Sequence, residues 1–142
     1  MGTRRSSREL ALKYLYQKEF NDTSEENHWE LFFASAAGGE DAEDYAKQLV
    51  LTALDKQTAI DDALNQFSEH WTLDRMAVID RNILRLGSCE LQFFKKVPPK
   101  AVINEWVEIS KKYGNADSPD FVNGMLDKIF KSIQSKMEPT LK

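Results

Sequence analysis

The chain has 142 residues, of which 42% are hydrophobic and 30% charged, with a formal net charge of −4 at pH 7. That size suits one domain with a continuous core, and the composition excludes an intrinsically disordered chain. No run approaches 18 apolar residues, so no membrane span is predicted, and the acidic balance argues against a general nucleic-acid binder.

The charge is unevenly spread. Residues 1–18 carry Arg4, Arg5, Arg8, Lys13 and Lys18 against one acid, Glu9, whereas 19–47 are acidic except for Lys47. A basic arm on an acidic body is a localised electrostatic site or a solvated tail. The N-terminus lacks the apolar stretch of a secretory signal. The lone Cys89 excludes an internal disulfide and favours a cytoplasmic compartment.

In chain order, Ser6 or Ser7 is positioned to cap a first helix that runs to about Phe20. Leu10, Ala11, Tyr14 and Leu15 form one stripe on it, and Leu12, Tyr16 and Phe20 form a second on the opposite side. A loop near 21–26 leads to a short aromatic helix with Trp29, Phe32 and Phe33, which Gly38-Gly39 ends. Asp41 opens a helix with Tyr45, Leu49 and Ala53 on one face. A break near Thr58 follows, where Thr58 and Asp61 resemble a capping box.

Thr72 opens the next helix, with Ala77, Asp80, Ile83, Leu84, Gly87 and Leu91 on a broad face. Pro98-Pro99 breaks the chain, and a helix from Pro99 carries Val102, Ile103, Trp106 and Ile109 to a stop at Gly114. Ser118-Pro119 reads as the cap and first residue of a last helix, with a frayed tail from about Lys136. Asn123-Gly124 is a hairpin signal by composition, but Val122, Met125, Leu126, Ile129 and Ile133 keep helical spacing through it. Gly124 is therefore expected at a close helix contact, with Asn123 hydrogen-bonding across it. The chain reads as all-α, six to seven helices in a single domain over 1–142, with a flexible basic arm at about 1–6.

Chemistry is sparse. Cys89 has no histidine beside it, and His28 and His70 lack zinc-ligand spacing. Gly38-Gly39 is no phosphate loop, and Asn115, Asp117 and Asp120 do not make a calcium loop. Neither an enzyme nor a cofactor nor a metal site is indicated.

Four blocks carry a family resemblance: "RRSSRELALKYLYQKEF" (4–20), "VIDRNILRLGSCEL" (78–91), "VPPKAVINEWVEISKKYG" (97–114) and "DSPDFVNGMLDKI" (117–129). In that order they resemble the NusB family of bacterial transcription antitermination factors. The resemblance implies two three-helix bundles set across each other. It also implies binding to the boxA element of ribosomal RNA leader transcripts, together with the ribosomal protein NusE, in a complex with other Nus factors and RNA polymerase. Departures from the family pattern are Trp106 in place of a small residue, Cys89 in place of a common Tyr, and Asp120 in place of a basic or neutral one.

For RNA, Arg4, Arg5 and Arg8 are expected to supply phosphate contacts, and through the resemblance Asp117 is expected to accept from base N–H groups and Phe121 to offer its ring to an unstacked base. Through the resemblance, Tyr16, Asp80, Arg81 and Asn82 fall on the face used for NusE. Plain structural roles compete with these: Tyr16 and Phe121 as core residues, Asp80 as a partner of Arg81 or Arg85, Asp117 as a capping-region acid. Two other functions stay open. One is an RNA-targeting module like that of rRNA cytosine methyltransferases, and the other is a helical bundle that binds only protein. Monomer and homodimer are both compatible with the sequence.

Overall fold

The computed structural model describes residues 3–20, 32, 39–68 and 72–137. Among these, every regular element is helical: α1 (Thr3–Phe20), α2 (Gly39–Asp55), α3 (Gln57–Phe67), a 3-10 turn (Leu73–Arg75), α4 (Val78–Phe93), α5 (Pro99–Tyr113) and α6 (Ser118–Met137). The all-α reading holds. The aromatic helix expected around Trp29 and Phe33, and also His28 and His70, lie outside the described residues.

Helix α4 organises the packing. It forms a mutual three-helix bundle with α5 and α6, while α1 and α2 pair with each other and both lie against it. Its sequence explains this central place. Ile83, Leu84, Leu86, Gly87, Ser88 and Cys89 are all buried, so α4 is apolar or small on more than one face. Ile83, Leu84, Leu86, Trp106 and Leu126 are among the largest fully buried side chains. Burial pushes the Cys89 thiol up to about 12, which keeps it protonated and inert.

Several local expectations are corrected. Helix α1 begins at Thr3, so Arg4 and Arg5 are helical rather than part of a flexible arm, and Ser6 and Ser7 lie inside the helix. Ser7 donates to the Ala42 carbonyl at 2.8 Å, tying α1 to α2 instead of capping its own helix. Gly39 opens a helix rather than closing one. The break expected at Thr58 falls at Lys56, with no side-chain cap. The helix expected from Thr72 is interrupted at Met76-Ala77 before α4 starts. At the other end, α6 continues through Lys136 to Met137.

The two glycines of interest exchange roles. Asn123 and Gly124 do lie within α6, but both are exposed, and a Cβ built on Gly124 would meet nothing within 4 Å. Nothing in the packing explains Gly124. The close contact belongs to Gly87, whose added Cβ would lie 2.9 Å from Leu126 Cδ1 and 3.2 Å from Trp106 Cδ1. Trp106 is accommodated because α4 presents no side chain at that point.

Candidate nucleic-acid interface

The three arginines at the start of α1 have three different surroundings. Arg8 is 2% exposed. Its Nε and Nη2 donate to the two oxygens of Glu90 at 2.7 and 2.9 Å. Glu90, fully buried, also accepts from the Tyr45 hydroxyl at 2.7 Å and from Trp106 Nε1 at 2.7 Å. A buried carboxylate with this many donors is fully satisfied, and the arginine is held in a bidentate pair. Burial and the adjacent Glu90 charge push the Tyr45 phenol well above its ordinary range, so it stays a donor. Arg8 is therefore a core residue here, and its expected phosphate contact is withdrawn because the guanidinium does not reach the surface.

Arg4 and Arg5 do reach it. Arg4 is exposed and lies over the Tyr45 ring, 3.7 Å from its centroid, in a cation–π placement. Arg5 makes a bidentate pair with Glu105 of α5 at 2.8 and 2.9 Å. The hydrogen bond from Arg5, followed by its charge, holds the Glu105 carboxyl below the usual range. One turn further along α1, Glu9 accepts from Lys112 at 2.9 Å and from the Tyr113 hydroxyl at 2.6 Å. The first turns of α1 are thus docked along α5 by pairs that face solvent. Such partly exposed pairs contribute modestly to stability.

At the far end of α5, the turn into α6 builds the second part of the surface. Asn115 Oδ1 accepts from the backbone N–H groups of Asp117 and Ser118 at 2.9 and 3.1 Å, which bends the chain into the helix. Ser118 is buried and its hydroxyl donates to Asp80 Oδ1 at 2.6 Å. Asp80 is only 8% exposed. It pairs with neither Arg81 nor Arg85, and it fastens the start of α4 to the start of α6. Asp117 is exposed and Phe121 half-buried, and together with Asp80, Asn115 and Arg75 they line a groove of about 330 Å³. Arg75 is exposed and makes no ion pair among the described residues. It is absent from the sequence reading because it lies in a different part of the chain from Asp117.

The residues expected on a protein-binding face separate into two groups. Tyr16 (41% exposed) and Phe20 (62%) stand on the outside of α1 with ring centroids 5.0 Å apart. Their stripe partner Leu12 is buried, so the second stripe is half core and half surface. Beside them Glu19 accepts from both Arg81 and Asn82. Burial pulls the Glu19 carboxyl upward, but the hydrogen bonds from Arg81 and Asn82 outweigh it and hold the group below its ordinary value. Arg85 continues the cluster with a bidentate contact to Asp61 at 2.9 and 3.1 Å. Asn82 is 1% exposed and Asp80 belongs to the other groove. Tyr16 and Phe20, with the edge of Arg81, are what remains presentable.

The model of the NusB family matches residues 5–131. The chain belongs to the NusB family. The transcription antitermination protein NusB of Trichlorobacter lovleyi is 41% identical over 129 residues, covering 91% of each chain. A crystal structure of Thermotoga maritima NusB shares the fold with a TM-score of 0.81 at 35% identity, over 90% of both chains. A solved complex of antitermination factors NusB and NusE with double-stranded RNA matches with a TM-score of 0.79 at 35% identity, over 93% of this chain and 98% of that one.

Within this NusB-family chain, the buried ring of Glu90, Arg8, Tyr45 and Trp106 was not legible in the sequence as a unit. Its one signal is a charged residue between Cys89 and Leu91 on the buried side of α4. Trp106 is matched by Gly87 for space and by Glu90 for its indole N–H.

Proposed function

We propose that this chain is a transcription antitermination factor that binds boxA RNA of ribosomal RNA leader transcripts together with NusE. The observation that carries the reading is its likeness over nearly its whole length to a chain of a solved NusB–NusE–RNA complex. The geometry is compatible with it. Arg4 and Arg5 supply exposed cations at the start of α1, and Arg75, Asp117 and Phe121 supply a cation, an acceptor and a ring in the groove at the start of α6. Phosphate attraction positions the strand, while Asp117 and Phe121 read or stack on unpaired bases. Tyr16, Phe20 and Arg81 form the NusE face, an amphipathic anchor pair beside a charged cluster. No catalytic step is part of this reading. Other Nus factors and RNA polymerase are partners in the resulting complex, and a homodimer that covers the RNA face is the resting alternative.

The matched relatives named NusB favour this over a methyltransferase targeting module. The test is fluorescence anisotropy with a labelled boxA oligonucleotide and a scrambled control, each with and without NusE. Preference for boxA, strengthened by NusE, is the expected result. Equal binding to both oligonucleotides sinks the sequence-specific reading, and NusE binding without any RNA effect leaves a protein-interaction bundle. Size-exclusion chromatography with and without RNA reports on the dimer.

A further inference from the structure

A larger groove lies at the end of α4 away from Asp80, where Phe93 and the turn 94–98 face the outer side of α2. It holds about 1220 Å³, above the roughly 300–1,000 Å³ of ordinary small-molecule sites. Its walls combine the rings of Tyr45, Phe93 and Phe94 with Arg4, Lys95 and Lys96, and Asp44 is the single acid among the described lining residues. Three cations thus face one carboxylate in a chain whose net charge is −4. Lys95 and Lys96 are exposed and have no carboxylate partner among the described residues. Phe93 is 39% exposed, and Lys56 stands 5.9 Å from its ring centroid.

Unpaired lysines beside the accessible ring of Phe93 in an open groove form a surface that suits single-stranded nucleic acid. The cations track phosphates, and bases stack on the rings without demanding a sequence. A protein partner fits less well, because lysines are depleted at protein interfaces while a phosphate backbone has no such preference to overcome.

We propose that this groove binds the single-stranded RNA that flanks boxA, extending the RNA surface beyond Arg4. Lys95 and Lys96 each neutralise one phosphate, the exposed face of Phe93 receives a base, and Arg4 sits at the junction of the two surfaces. The proposal rests on the boxA reading for the core segment and adds length to the footprint.

The test compares a boxA oligonucleotide with versions extended by six unstructured nucleotides at the 5′ or the 3′ end, on the wild-type protein, the Lys95→Ala/Lys96→Ala variant and Phe93→Ala. For wild type, one extension should raise affinity several-fold and steepen the salt dependence of log K by about 1.4, from two contacts at about 0.7 each. The double-lysine variant should bind the unextended oligonucleotide like wild type and lose both the gain and the added slope. Phe93→Ala should lose part of the gain and keep the slope. Normal binding of the core with no gain from either extension overturns the groove assignment alone, as does a gain that survives in the double-lysine variant. In those cases the face is left to a protein partner. Failure of the wild type to bind the core oligonucleotide overturns the boxA reading and this extension with it.

Discussion

At the scale of single residues, two helical glycines have opposite consequences. Gly124 is helical, exposed and surrounded by open space. Gly124→Ala should therefore stabilise by about 0.5–1 kcal/mol, from helix propensity alone. Gly87 faces Leu126 and Trp106 in the core, and Gly87→Leu should destabilise by about 1–3 kcal/mol through overpacking. Urea denaturation of both variants checks the pair, and a Gly124→Ala protein less stable than wild type would show that the α6 glycine has a packing role after all. Arg8 gives a second residue-level expectation. Arg8→Met leaves Glu90 buried with two neutral donors and no counter-charge, which should cost about 3–5 kcal/mol. A loss below about 1 kcal/mol in the same denaturation series would mean that the pair has no structural weight.

At the scale of elements, the beginning of α1 and the joint between α4 and α6 decide what the surface can do. Because Arg8 is committed to Glu90, two arginines and not three are available to phosphates. Replacing Arg4 and Arg5 with Ala should flatten the slope of log K against log salt by about 1.4. Adding Arg8→Ala to that variant should leave the change at about 1.4, and a further flattening of about 0.7 would return Arg8 to the RNA site. Phe121→Ala should weaken boxA binding at every salt concentration and leave that slope alone, since stacking releases no counterions. Asp80→Lys places a cation where a buried hydroxyl donates to a carboxylate and removes an acid from the first turn of α4. It should lower the melting temperature as well as any NusE affinity. A variant that loses NusE binding at unchanged melting temperature would restore Asp80 to the interface.

At the scale of the whole molecule, acid should loosen the contacts that hold α1 against its neighbours. Glu9, Glu19 and Glu105 all have carboxyls held below their ordinary values. In Glu9 and Glu19 burial pulls the other way, and the hydrogen bonds from Tyr113 and Lys112, or from Arg81 and Asn82, prevail. For a carboxylate depressed on folding, the stabilisation is fully present above its unfolded value of about 4.3. It is lost as pH falls through the folded value, because the unfolded chain then binds more protons. Stability should accordingly be flat near neutral pH on this account and decline below about pH 4.5. Replacing these three acids with Gln should reduce the acid-side decline in a urea titration, and an unaltered profile would assign the acid sensitivity to other groups.

Among the described residues, most helices and their order were legible in the amino-acid sequence, because apolar spacing and proline and glycine punctuation act over a few residues. Helices α5 and α6 show this best: Pro98-Pro99, Gly114 and Ser118-Pro119 mark their boundaries, and the spacing of Val122, Met125, Leu126 and Ile129 outweighs the Asn-Gly pair between them. The motif blocks also placed the chain in its family and marked Asp117 and Phe121, which the fold sets in one groove with Arg75. The fates of the arginines were not legible. Arg4, Arg5 and Arg8 carry the same charge, but α1 turns Arg8 inward to a carboxylate 82 positions away, Arg5 toward one 100 positions away, and Arg4 onto a tyrosine ring. Which glycine lies at a helix crossing, and which acid fastens two helices together, were decided in the same way. Such roles depend on how helices distant in sequence pack against one another, and periodicity along one chain segment holds no record of its neighbours in space.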